Sequence, residues 1–314
     1  MTDLVTIGET MALLSAPKVG RLRDMHDLGL SAAGSESNVA IGVRRLGYRS
    51  SWIGRVGGDE LGGLVLSKLR SEDVDVERAV VDQEAQTALM FKERRSGNVV
   101  KVVYYRRGYA GSRLSKTDVD PELIESARAL HVTGITLGLS TSAREAVKHA
   151  VEIARAAGVL VSFDLNYRAA LWTRAEAAVE FGAIAKGCDV VFAGEEELAV
   201  LGSHGAAEMA RRLVESGARA VVVKRGSKGA FSLTETGVHE RTGPAVTVVD
   251  PVGAGDAFVA GYLAATFDGL DPGGRLALGC AAGAYAVTIA GDWEGMPSRG
   301  DIELLAVAEG TTLR

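Results

Sequence analysis

The sequence predicts an α/β fold: a mostly parallel central sheet flanked by helices on both faces, with a small β-sheet lid. Three observations carry this. After Leu114, short apolar runs alternate with helix-length periodic stretches, the pattern of a parallel sheet with crossover helices. Polar motifs follow those runs, where open α/β sheets bind their ligands. Two stretches, about residues 11–33 and 87–114, break the alternation and hold too little core to fold alone. The expectation is a single domain over 1–314 with those two segments inserted as the lid.

Each element has its own signal. Leu4 to Gly8 is a short apolar run, read as a buried strand ending in a turn. Residues 11–33 are irregular, with Gly20, Arg21, Arg23, Asp24 and His26. Helical periodicity runs from Glu36 to Leu46, a strand from Ser51 to Val56, and a helix from Glu60 to about Arg70. Thr87–Glu93 and Val99–Arg106 flank Arg94-Arg95-Ser96-Gly97-Asn98, which is hairpin chemistry. Strands are then predicted at Ala129–Thr133, Val159–Asp164, Asp189–Ala193 and Ala220–Lys224. Helices intervene at about Ser142–Ala157, Arg174–Lys186 and Ala206–Ser216.

Composition narrows the function. The chain has 314 residues, 47% of them hydrophobic, enough for one large α/β domain or two small ones. A formal net charge of −5 argues against nucleic acid as the main partner. An anionic substrate remains compatible if Arg or Lys sit at the site. Cys188 and Cys280 lie in apolar or small-residue surroundings and read as buried free thiols, not a disulfide framework. The N-terminal residues carry no signal-peptide pattern and no run approaches a membrane span. The expected location is the cytoplasm, with no membrane partner.

The richest string is Asp250-Pro251-Val252-Gly253-Ala254-Gly255-Asp256, running into a small-residue helix. Gly253 and Gly255 lack the Cβ atoms that keep backbone amides away from a ligand. Those amides lie where a helix begins, at the positive end of its dipole, which suits a phosphate. Asp256 repels phosphate and fits instead as the acceptor of a proton from an attacking hydroxyl. The same residue at a helix start also reads as an ordinary cap. Lys224-Arg225-Gly226-Ser227-Lys228-Gly229 follows a strand with glycines and cations; it lacks Walker A spacing and reads equally as a solvated turn. The first strand ends Gly8-Glu9-Thr10-Met11, so no dinucleotide fingerprint follows it. The five histidines show no metal-ligand spacing.

D-P-V-G-A-G-D followed by A-F-V-A-G resembles the ATP-binding and catalytic motif of the ribokinase-like (PfkB) sugar kinases. The resemblance implies that Asp256 is the catalytic base, that Gly253, Ala254 and Gly255 form an anion hole, and that the fold is ribokinase-like. It favours an ATP contact for Lys224, Gly226, Ser227 and Gly229. Gly194-Glu195-Glu196-Glu197 sits where the family carries N-x-x-E, tied to Mg²⁺ and phosphate; Glu197 matches the Glu, and Gly194 replaces the Asn. The N-terminal strings Ala33-Gly34-Ser35-Glu36-Ser37-Asn38 and Gly54-Arg55-Val56-Gly57-Gly58-Asp59 resemble the family's other motif, so the likeness spans nearly the whole chain. ATP and Mg²⁺ are the implied cofactors. A monovalent-cation requirement is left open, and homo-oligomerisation through the lid is a family-based expectation.

Substrate choice turns on arginines. Tyr104 and Arg106 share one side of a predicted strand, and Arg168 follows a core strand at the ligand edge. Guanidinium groups pair carboxylates bidentately, so two of them suit a sugar acid; singly, each also reads as a surface ion pair. The strings Y-Y-R-x-G-x-A-G-S, V-T-G-I-T-x-x-L-S and D-x-N-Y-R-x-x-L-W together resemble 2-keto-3-deoxygluconate kinases. That resemblance implicates Gly34, Tyr104, Arg106 and Arg168 in binding the acid, and Asp292 in a further polar contact. It implies ATP-dependent phosphorylation of the C6 hydroxyl of 2-keto-3-deoxygluconate or its C4 epimer. The alternatives are a fructokinase-type kinase of a neutral ketose and a non-catalytic sugar or nucleotide sensor.

Overall fold

The computed structural model describes residues 2–96 and 99–305. The chain begins with β1 (Leu4–Ile7), β2 (Met11–Val19), β3 (Gly29–Ala33), α1 (Ser35–Arg45), β4 (Ser50–Ile53), β5 (Arg55–Gly57) and α2 (Glu60–Ser71). β6 (Val80–Asp82), β7 (Leu89–Ser96), β8 (Val99–Tyr105), α3 (Pro121–Glu125), β9 (Ala129–Thr133), α4 (Gly134–Leu139) and α5 (Thr141–Ala156) follow. Then come β10 (Leu160–Asp164), α6 (Arg174–Ala185), β11 (Val190–Gly194), α7 (Glu195–Leu201), α8 (Ala206–Glu215) and β12 (Ala220–Lys224). The last elements are β13 (Ala230–Thr234), β14 (Gly237–Arg241), α9 (Ala254–Phe267), α10 (Pro272–Ala286) and α11 (Arg299–Leu304).

Among the described residues the main sheet has eight strands in the order β14-β13-β12-β11-β10-β9-β1-β4. From β12 to β4 neighbouring strands run parallel, while β13 and β14 close one edge antiparallel. Strand side chains alternate between two cores, as the two-residue repeat requires. Val5, Val191, Val221 and Val223 join the cluster that includes α5 and α6. Leu4, Val190, Phe192 and Val222 join the one containing Val39 of α1 and Val259 and Leu263 of α9. Helices therefore cover both faces, and every parallel strand ends at the same edge.

The segments set aside from the alternation pair with each other. β3-β2-β7-β8 form a separate four-stranded sheet, with β2 and β7 parallel and the outer pairs antiparallel. The irregular reading of residues 11–33 is corrected here: nine residues from Met11 to Val19 form one strand. Alternation was hard to see because Met11, Ala12 and Leu13 are buried in succession while Pro17, Lys18 and Val19 run out into solvent. Residues 97 and 98 of the expected hairpin turn lie outside the described residues. The β13–β14 hairpin was not anticipated. Phe231 and Leu233 pack on the core while Val238 and Glu240 are exposed, so the pair carries only half of an apolar signal.

Candidate active site

The parallel strands end at one edge, where Glu9, Gly194 and Lys224 line a cavity of about 470 Å³. Glu9 follows β1, Thr133 ends β9, Asp164 ends β10, Gly194 ends β11 and Lys224 ends β12. The first turn of α9 closes this edge. Gly253 caps the helix at φ +80°, and a Cβ there would fall 2.0 Å from the main-chain oxygen of Asp292, so only glycine fits. The amides of Ala254, Gly255 and Asp256 belong to the first turn and have no intrahelical acceptor. Lys224 Nζ lies 3.6 Å from where a Cβ on Gly255 would sit. Positive charge thus stands directly beside the free amides.

Asp256 is held on both oxygens. Ser35 Oγ donates to Oδ1 at 2.7 Å and Asn38 Nδ2 donates to Oδ2 at 2.9 Å. Asn166 Nδ2 donates to Ser35 Oγ at 2.8 Å, from a left-handed backbone at φ +35°, which extends the chain of contacts to the end of β10. Burial pushes the Asp256 carboxyl up to about 6 against these hydrogen bonds; the charge of Asp164 adds to the rise and that of Lys224 opposes it. A carboxylate poised near neutrality is suited to accept a proton.

Other acids surround it. Lys224 Nζ pairs with Asp164 Oδ2 at 2.5 Å, leaving Oδ1 of that buried carboxylate without a partner among the described residues. Glu197 accepts the backbone N–H groups of Gly194 (2.7 Å) and Tyr167 (3.1 Å) and caps α7. Burial raises its pKa, opposed by Lys224. Glu36 accepts from Thr133 (2.7 Å) and Thr136 (2.5 Å), and burial lifts it to about 7. Burial and then the charge of Asp256 lift Asp292 to about 7 as well.

The small sheet supplies the opposite wall through Met11, Met90, Val102, Tyr104 and Arg106. Arg106 lies over the ring of Tyr104 at 5.2 Å. It is already engaged: its Nε and Nη2 reach Glu9 Oε2 at 2.7 and 2.5 Å. Arg168 differs. It lines the cavity, is exposed, and has no hydrogen-bond or ion-pair partner among the described residues.

Ten of the anticipated positions therefore line one cavity: Gly34, Tyr104, Arg106, Arg168, Glu197, Lys224, Gly253, Gly255, Asp256 and Asp292. Ala254 is the first residue of α9 beside them. Gly34 sits against backbone, where a Cβ would fall 2.5 Å from the carbonyl oxygen of Glu9. Gly226, Ser227 and Gly229 lie outside that cavity, on the turn from β12 to β13. Sequence reasoning gave no role to Glu9, Ser35, Glu36, Asn38, Asp164 or Asn166. Two signals were available: Glu9, Asp164 and Asn166 are polar residues at or just past the ends of apolar strands, and Ser35, Glu36, Asn38, Asp164 and Asn166 lie inside the strings that resemble family motifs.

The model of the pfkB family of carbohydrate kinases matches residues 1–299. The chain belongs to that family. It is 39% identical over 314 residues to 2-dehydro-3-deoxygluconokinase of Thermoproteus tenax, covering 98% of this chain and 95% of the relative. It is 36% identical over 301 residues to the Bacillus subtilis (strain 168) 2-dehydro-3-deoxygluconokinase, covering 95% and 93%. A candidate ribokinase II from Escherichia coli, solved with ATP and Mg²⁺, superposes with a TM-score of 0.90 at 28% identity, covering 97% of this chain and 99% of that one. This pfkB kinase is accordingly an ATP-dependent sugar kinase with a ribokinase-type fold. No helix among its described residues is long and apolar enough to cross a membrane.

Proposed function

We propose that the kinase transfers the γ-phosphoryl group of ATP to the C6 hydroxyl of 2-keto-3-deoxygluconate or its C4 epimer. One observation carries the choice of an acid: Arg168 presents to the cavity that holds Asp256 a guanidinium with no hydrogen-bond or ion-pair partner among the described residues. A neutral ketose offers such a group no countercharge, whereas a C1 carboxylate pairs it bidentately. Arg106, anchored by Glu9, keeps donors for the same acid, and Gly34 and Tyr104 position the sugar. Asp292 supplies a further polar contact.

Asp256 takes the hydroxyl proton as the O–P bond forms. Ser35 and Asn38 keep its carboxylate aimed, and the first-turn amides of residues 254–256 stabilise charge on the transferring group. Lys224 stands beside those amides and adds its charge. The turn holding Gly226, Ser227 and Gly229 borders the nucleotide. Among the described residues no group of three or more His, Cys, Asp or Glu side chains could cage a metal. Mg²⁺ accompanying ATP would be held mainly by phosphates and water, with Glu197 acting indirectly, and would neutralise phosphate charge. Closure of the small sheet excludes water. Pairing of two chains through its outer face, which exposes Leu30, Val99 and Tyr105, belongs to the same proposal.

The test is ADP release with MgATP and 2-keto-3-deoxygluconate, 2-keto-3-deoxygalactonate, gluconate, fructose or ribose at equal concentration. Turnover is expected to be strongest with the two keto-deoxy acids. Turnover with neutral sugars alone would remove the arginine argument and leave a fructokinase-type enzyme.

A further inference from the structure

A second group of buried charges lies behind the first turn of α9. Lys92, on the cavity-facing side of β7 with Met90, reaches across from the small sheet. Its Nζ donates to Asp250 Oδ2 at 2.6 Å and to the main-chain oxygen of Gly291 at 2.5 Å. Both side chains of the ion pair are over nine-tenths buried. Asp250 holds the adjoining backbone: Oδ1 accepts from the amide of Val252 and Oδ2 from that of Gly291, each at 3.2 Å. Val249 and Asp250 both donate to the main-chain oxygen of Val287. Three residues beyond Asp250, Gly253 packs against the main-chain oxygen of Asp292. The strands of chain at 249–253 and 287–292 are thus locked together at the base of the anion hole. A carboxylate oxygen and a carbonyl oxygen, aimed at one buried point, form a cation site, and the chain's own ammonium occupies it.

We propose that Lys92 is a positioning residue, an internal cation that sets the anion-hole loop and makes this kinase independent of added monovalent cations. An unpaired Asp250 buried here would draw its loop toward solvent or another partner. Arg94, whose Nη2 is 4.0 Å away, is too distant to replace the short contact. The amides of residues 254–256 begin only four residues further on, so their aim follows that loop. Because the cation comes from the small sheet, the loop is fully set only when that sheet is docked. A second cavity of about 370 Å³, lined by Lys92, Arg94, Asp250, Gly291 and Glu294, gives small ions a route to the position.

The inference rests on the anion-hole reading above, and the experiment separates the two. Initial rates are measured for the wild-type enzyme and Lys92→Met in potassium, ammonium, sodium or tetramethylammonium chloride at constant ionic strength. The wild type should show the same kcat in all four salts. Lys92→Met should lose about 100-fold in kcat, the scale of a misaligned transition-state donor. Its KM for the sugar should stay near normal, and potassium or ammonium should restore most of the rate while tetramethylammonium does not. Activation of the wild type by potassium or ammonium would overturn the proposal even if the variant failed to fold. So would a variant with unchanged kcat, or one that keeps its circular dichroism spectrum yet loses kcat in every salt. Gly255→Val, which crowds the amides directly, reports on the anion hole alone: full activity there refutes that reading without touching the wild-type salt response.

Discussion

The carboxyl edge of the main sheet and the inner face of the small sheet meet at one cavity but bring opposite charge to it. The edge and its following helices line it with Glu9, Glu197, Asp256 and Asp292, and with Lys224, which pairs with the buried Asp164. The small sheet faces them with Tyr104 and Arg106, and with Lys92 just behind. Two of its cations each pair with an acid of the main body, the buried Lys92 with Asp250 and the half-buried Arg106 with Glu9. Docking the small sheet therefore neutralises acids that the main body leaves buried. On the proposed reading the edge moves the proton and the phosphoryl group and carries Arg168, while the small sheet adds countercharge and Arg106. Substitutions on the edge should act on kcat, and those on the substrate arginines mainly on KM.

The largest effect should come from Asp256→Asn. The amide keeps an oxygen for Ser35 but cannot take a proton, so kcat should fall by about 10²–10⁴ while ATP binding stays near normal. On the proposed reading the same group should set the pH response of the wild type. Asp256 must be ionised to act, and its value of about 6 places an acid limb in kcat/KM, flat above that pH and falling tenfold per unit below it. A variant retaining full kcat, or a limb centred near the ordinary carboxylate range, contradicts this assignment.

Arg168→Ala should be smaller and should appear elsewhere. Losing one exposed, bidentate partner raises KM for the keto-deoxy acid by about 10- to 100-fold and leaves kcat within a few-fold. Arg168→Lys recovers part of the loss, because an ammonium supplies charge without the fork. An unchanged KM for the acid would take Arg168 out of the site. A fall in kcat alone would blur the division between edge and substrate arginines.

How much of this was legible in the sequence follows from which forces are local. Strand and helix alternation after Leu114 reads directly, because buried parallel strands show as apolar runs and α5 and α8 carry one-sided apolar stripes. The Gly253–Asp256 turn reads because its constraints, a positive φ and free amides, lie within four residues. The supports do not. Glu36 finds Thr133 and Thr136 about a hundred residues away, and Lys92 finds Asp250 across 158. No spacing rule couples such positions before the sheet order is known. Lys92 looks like an ordinary solvated strand lysine until the two sheets are placed together.

Glu36 offers the mildest test, and one that touches stability more than rate. Its carboxyl is fully buried, and burial lifts it from 4.5 to about 7. A group raised on folding contributes stability in its protonated form, present below the unfolded value and lost as pH rises through the folded one. The wild type should therefore lose stability between about pH 4.5 and 7 on account of this residue, a loss that Glu36→Gln cannot suffer. The variant keeps a carbonyl oxygen for Thr133 and Thr136 and has no proton to shed. Relative to wild type, its Tm should climb with pH across that window and level off above it. The gain across the window should be on the order of 3 kcal/mol, from a rise of 4.5 to about 7 at ~1.4 kcal/mol per pH unit. The activity should change little, since Glu36 acts on Asp256 only through its charge. Thermal unfolding of both proteins at about pH 5 and about pH 8 decides it. A Tm difference that is the same at both values shows that Glu36 does not titrate in that window. The edge would then hold its acids ionised throughout, and the countercharge from the small sheet would be larger than its two ion pairs suggest.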